Sequence, residues 1–197
     1  MNYSIYAEST PNPGVMKFVS NRMLADKSIE ITKAEQAKDI SVAKALFNFP
    51  FVKSLYISSN FISIAKTDNV EWDMIAMQLR NFITDFLNEE GLKNYTENIT
   101  EEEIIKTEIQ AEKNTEKIEF TDKEKAIIDL LNEYIKPAVE ADGGAITFNS
   151  YVGDVVTVNL KGACSGCPSA TSTLKGGIES LLNQKVDPNI VVRANEG

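Results

Sequence analysis

Apolar and polar positions change period several times along the chain, and those changes divide it. Residues 2–8 alternate weakly, as an edge strand would. Thr10-Pro11-Asn12-Pro13-Gly14 then breaks the pattern with turn formers. Val15-Met16-Lys17-Phe18-Val19 reads as a second strand, and Ile29 and Ile31 mark a short third. Val42, Ala45 and Leu46 share one face of a helix over residues 41–47, which Pro50 ends. Two alternating runs, 52–58 and 61–65, flank Ser59-Asn60 as a hairpin. Over 70–87, Trp72, Ile75, Leu79, Phe82, Ile83 and Phe86 recur at helical spacing. That stripe, Trp72 included, predicts a core face rather than a ligand site.

From residue 91 the periodicity fades. The window 89–119 carries ten acidic residues against four basic ones, and its isoleucines form no stripe. It reads as an acidic, flexible, solvated linker over 91–120, with a docking tail for a basic partner as the alternative. The domains are therefore placed at 1–90 and 121–197.

Beyond the linker, Thr121-Asp122-Lys123-Glu124 spells a capping box. It opens a helix whose apolar positions are Ile127, Ile128, Leu131, Tyr134, Ile135, Ala138 and Val139, with Pro137 expected to kink its last turns. Residues 145–151 and 155–160 alternate around Val152-Gly153-Asp154 as a hairpin. A second helix is predicted over 168–183, and Ile190-Val191-Val192-Arg193 forms a last strand. The expected fold class is α+β: two small α/β-sandwich-type domains joined by an acidic linker, the second of order α-β-β-α-β.

Charge and composition narrow the chemistry. Lys and Arg number 20 against 29 Asp and Glu, a net charge of −9. This argues against nucleic acid and against an anionic membrane surface as partners. Residues 1–10 show neither a basic-plus-apolar signal nor an Arg-rich presequence, which predicts a cytoplasmic protein. The chain has no histidine, so Cys/His pairs, Ser-His-Asp triads and His-ligated metals are excluded.

Both cysteines lie in Gly162-Ala163-Cys164-Ser165-Gly166-Cys167-Pro168. The glycines let the backbone bend around a bound group, and Pro168 suits the first position of a helix. Cys167 would then face a helix N-terminus, which favours a thiolate, so two activated sulfurs are expected on one tight loop. Three readings compete: a soft-metal or iron–sulfur ligand pair, a dithiol/disulfide redox pair, and two small residues that merely pack. Two sulfurs cannot close a four-thiolate site, so a metal or cluster of that kind needs two chains.

Lys136-Pro137-Ala138-Val139-Glu140-Ala141-Asp142-Gly143-Gly144, the cysteine loop and Thr173-Leu174-Lys175-Gly176-Gly177-Ile178-Glu179 follow one another in an order that closely resembles the NifU C-terminal (Nfu-type) domain. Thr10-Pro11-Asn12-Pro13, Lys17-Phe18, Leu46-Phe47 and Phe61-Ile62-Ser63-Ile64-Ala65-Lys66 resemble the Nfu N-terminal domain that precedes it. One departure is Ala145, where many members carry Asp. The resemblance implies a non-enzymatic iron–sulfur cluster scaffold or carrier. It further implies that two chains pair as a homodimer through this loop, each giving Cys164 and Cys167 to one bridging [4Fe–4S] cluster that comes from a donor and passes to apo client proteins. Two such pairs could equally hold [2Fe–2S]. The first domain has no catalytic constellation and is expected to recognise clients or other partners. The alternatives are a dithiol/disulfide oxidoreductase on the same C-x-x-C and a zinc-holding adaptor.

Overall fold

The structure is a computed structural model that describes residues 2–37, 40–91, 120–165 and 168–196. The acidic linker expected at 91–120 lies, apart from its two end residues, outside the described residues, as does Cys167.

The first domain is one antiparallel sheet covered by helices. Its strands are β1 (Ile5–Ser9), β2 (Val15–Ser20), β3 (Ala25–Ile31), β4 (Val52–Ser59) and β5 (Phe61–Lys66), in the spatial order β1-β2-β5-β4-β3. Ser59-Asn60 makes the β4–β5 turn, with Ser59 at φ 46°, and Ser58 pairs with Phe61 across it. Phe18, Ile57 and Ile62 are neighbours in register, and with Leu55 and Ile64 they form the inner face. Helices α1 (Ser41–Leu46) and α2 (Trp72–Glu89) pack there. Ile75, Leu79, Ile83 and Leu87 repeat at i, i+4 along one side of α2 and are buried. Trp72 is only half-buried: its ring stands edge-on to Phe18 and its indole N–H donates to Pro13 O at 2.9 Å. β3 begins four residues earlier than Ile29 suggests, because Ala25 pairs with Ser59 across a register shift. Its exposed Asp26, Lys27 and Ser28 blunt an edge that would otherwise invite another strand.

In the second domain Thr121 caps α3 (Asp122–Leu130) with the reciprocal Thr–Glu124 box that the sequence spells. Pro137 does not simply kink the helix that follows. A π turn (Leu131–Ile135) precedes α4 (Lys136–Ala141), and Lys136 N donates to Leu131 O five residues back. Proline has no N–H and its ring crowds the previous turn, and the wider turn accommodates both problems. The extra residue also rotates the buried stripe, which runs Ile127, Leu131, Val139, while Tyr134 and Ala138 turn outward. β6 (Gly144–Val152) and β7 (Val155–Gly162) form the hairpin, closed by Gly153 at φ 62°. α5 (Pro168–Lys185) then crosses over to β8 (Val191–Glu196), which pairs parallel to β7. Ile178 and Leu182 of α5 join Val156, Val158, Leu160 and Val192 in a second core. The α-β-β-α-β order and the α+β class are those the sequence predicts.

Candidate cargo site at the cysteine loop

Strand pairing places one residue from each strand of the first sheet in a transverse row. Glu8 pairs with Lys17, Lys17 with Ser63, Ser63 with Tyr56 and Tyr56 with Glu30. The row faces away from α1 and α2, because its members alternate with the core residues Phe18, Leu55 and Ile62. The second domain covers its middle, Lys17, Ser63 and Tyr56, and leaves Glu8 exposed. Lys17 Nζ donates to Glu140 O at 3.1 Å and Ala141 O at 2.9 Å, the last carbonyls of α4. An ammonium suits that end, where carbonyls lack helical partners and the dipole is negative. Ser63 Oγ donates to Gly143 O at 2.6 Å, and Gly162 N donates to Glu30 Oε1 at 3.1 Å. Lys17 and Ser63, though polar, are buried at 8% and 2% exposure, because these bonds satisfy them.

The two glycine turns held this way carry the sulfur. Gly143 and Gly162 both have positive φ, 80° and 63°. Gly162 lies against the Tyr56 ring, and Ala163 N donates to Gly143 O at 3.2 Å. Cys164 follows. Its thiol is in no disulfide and is 9% exposed, packed into the second core. It lines a cavity of about 350 Å³ together with Val139, Asp142, Thr173 and Leu174 from its own domain and Pro11 from the first. A methyl on Gly144 would lie 2.6 Å from Cys164 Sγ, so the absence of a side chain there makes room for the sulfur.

Every carbonyl from 162 to 165 has a donor. Gly162 O accepts from Ser165 N and Oγ, both at 3.1 Å. Cys164 O accepts from Thr171 Oγ1 at 3.3 Å. Ala163 O and Ser165 O both accept from Asn12 Nδ2, at 3.1 and 3.3 Å.

Burial pushes the Cys164 thiol up to about 11, with Asp142 adding to the rise. The loop therefore does not hold this sulfur as an activated thiolate, as its sequence setting suggests, because the second core and the first domain remove the water that would solvate the charge. A soft metal reverses this, since coordination displaces the proton outright. A free thiol beside a cavity, with Gly144 clearing its space, fits a thiolate-ligated cargo. Among the described residues no group of three or more His, Cys, Asp or Glu offers another metal site. In a metal-free Cys167→Ser chain, alkylation of Cys164 by iodoacetamide at pH 8 is expected about 100-fold slower than that of an ordinary cysteine. The rate should climb about tenfold per pH unit towards pH 11. A plateau near pH 8.5 would contradict the buried thiol.

Sequence reasoning singled out Cys164 and Cys167. The structure describes the first, and Cys167 lies outside the described residues. Lys161 is exposed and Lys175 half-buried. The sequence alone does not mark Asn12, Lys17, Glu30, Tyr56 or Ser63 as site residues. A lysine and a serine in mid-strand were the available signals, but each reads as a solvent-facing position until the strand order is known.

The fold and site define a class: a two-domain α+β protein whose second domain presents a cysteine loop and whose first domain braces it. Comparison with known proteins gives the family. Residues 5–90 match the family model described as "Scaffold protein Nfu/NifU N terminal", and residues 127–193 match that described as "NifU-like domain". A Drosophila grimshawi protein named "NFU1 iron-sulfur cluster scaffold homolog, mitochondrial" is 34% identical over 181 residues, 90% of this chain and 57% of that protein. Its Drosophila sechellia namesake is 32% identical over 181 residues, 90% of this chain and 60% of that one. The solution structure of a NifU-like protein from Saccharomyces cerevisiae is similar at 30% identity and a TM-score of 0.40, covering 44% of this chain and 79% of that chain. The chain belongs to the Nfu-type scaffold family and carries its N-terminal domain. It spans 57–60% of the length of these fly relatives. Their names place them in mitochondria, which overturns the cytoplasmic location expected from residues 1–10.

Proposed function

We propose that this chain is an iron–sulfur cluster carrier. Cys164 and Cys167 of two chains together hold one cluster, [4Fe–4S] in the leading reading, which is received from a donor and passed to apo-proteins. It acts by carrying, not by catalysis. The observation that bears most weight is the uncommitted Cys164 thiol on a loop whose four carbonyls are all held, beside a cavity, in the NifU-like domain. The scaffold names of the relatives support the same reading. Two sulfurs per chain against four ligands per cluster make the homodimer the simplest closed site. The first domain serves in client recognition. Burial of Cys164 counts against this sulfur as the attacking thiolate of a dithiol oxidoreductase, because an attacking sulfur must be a thiolate near neutral pH.

Anaerobic reconstitution with iron and sulfide, followed by iron, sulfide and molar mass on one sample, tests this. About two irons and two sulfides per chain in a dimer are expected, and none in Cys164→Ser. About one of each per chain would mean a two-iron cluster instead. Zinc without labile sulfide, or a reversible Cys164–Cys167 disulfide with no metal, would overturn the proposal.

A further inference from the structure

We infer that Asn12 of the first domain is a positioning residue for the cysteine loop of the second, so that the cargo site is completed from both domains. This rests on the carrier reading for its meaning but not for its geometry. Asn12 is 8% exposed. Its Oδ1 accepts from Gly14 N at 3.0 Å, which fixes the amide so that Nδ2 faces the loop. The two Nδ2 protons then go to Ala163 O and Ser165 O, the carbonyls one residue before and one residue after Cys164. An amide turned the other way would set an oxygen against two carbonyls.

The donor is itself held stiffly. Pro11 and Pro13 flank it, and Pro13 O accepts from the Trp72 indole. Thr10 Oγ1 accepts from Asn12 N at 3.2 Å and lies 2.9 Å from both Asn12 O and Val15 O. A trans peptide points its N–H opposite to its C=O. Tying down the Ala163 carbonyl therefore turns the Cys164 amide away from Asn12 and fixes the peptide before the sulfur, while the bond to Ser165 O holds the loop again just past the next peptide, whose carbonyl Thr171 Oγ1 takes. Such outer partners set the orientation of a metal-binding side chain and how firmly its cargo is kept. The half-buried Trp72 has a reason here: it anchors the turn that carries Asn12.

The test uses the full chain. Asn12→Asp keeps the size and the acceptor for Gly14 N but places a carboxylate against two carbonyls. Asn12→Ala loses the donor, the acceptor and some volume. Reconstituted protein is challenged with a ferrous-iron chelator, and the bleaching rate is followed by visible absorbance and visible circular dichroism. Amide hydrogen exchange at 162–165 is measured on the metal-free chains. Asn12→Asp is expected to release iron about tenfold faster than the parent, with a changed visible dichroism, and Asn12→Ala to fall between them. Exchange at 162–165 should rise in the same order, which tests Asn12 even if the parent binds no cluster. A role in packing alone predicts the reverse order, with Ala worse than Asp. Ile83→Val, a core change in the first domain, controls for general loss of stability. Unchanged release and exchange, Ala worse than Asp, or an equal effect from Ile83→Val would each overturn the inference.

Discussion

Gly144→Ala is expected to leave a folded protein that binds several-fold less cluster per chain. The added Cβ would lie 2.6 Å from Cys164 Sγ, 2.9 Å from Lys161 O and 3.1 Å from Cys164 Cβ. The sulfur can swing aside, but the Lys161 carbonyl is backbone in the hydrogen-bonded β6–β7 ladder and moves only with its strand. The sulfur therefore gives way first and leaves the cavity that Asp142 and Val139 line. The stability loss should be about 1–3 kcal/mol, the usual range for overpacking. The cargo loss should be larger, because ligand geometry tolerates less displacement than folding does. Iron content after reconstitution, set beside urea unfolding of the metal-free chain, separates the two. Full cluster loading in Gly144→Ala would mean that the sulfur does not need the position seen here.

The sequence made most elements legible because their signals are local. The Thr121–Glu124 box, the Ser59-Asn60 turn and the i, i+4 stripe of α2 each lie within a few residues. The π turn before Pro137 was not legible beyond a disturbance, since it depends on how the helix satisfies a missing N–H while keeping Leu131 and Val139 inward. The candidate site was half legible. The C-x-x-C spacing and the glycines mark the loop, but nothing near Cys164 in sequence says that its thiol is buried. The row Glu8–Lys17–Ser63–Tyr56–Glu30 exists only because β5 lies between β2 and β4, an order no local pattern encodes. Asn12 and Ala163 are 151 positions apart. The Thr-Pro-Asn-Pro turn showed that the chain bends there, not what the bend holds.

Two glycines with almost the same backbone let the domain contact be weighed. Gly153 has φ 62° and Gly162 has φ 63°. A methyl on Gly153 meets nothing within 4 Å, whereas one on Gly162 meets Gly143 O at 2.7 Å and the Tyr56 ring at 2.9 Å. Gly153→Ala is therefore expected to cost only the left-handed strain, about 1–2 kcal/mol. Gly162→Ala carries the same strain plus overlap on both sides, about 2–4 kcal/mol in all. Neither neighbour yields easily. Gly143 O is fixed by Ser63 Oγ and Ala163 N, and Tyr56 is buried within the sheet row at 2% exposure. The methyl must push the loop away from the first sheet, stretching the Gly162 N to Glu30 bond and the Asn12 bonds with it. Urea midpoints of the two variants, read with unchanged slopes, give the difference. Equal midpoints would mean that the first domain does not press on this loop in solution. A larger loss in Gly162→Ala, with faster amide exchange at both Gly162 and Ala163, would show that the sheet row and the cysteine loop hold each other in place.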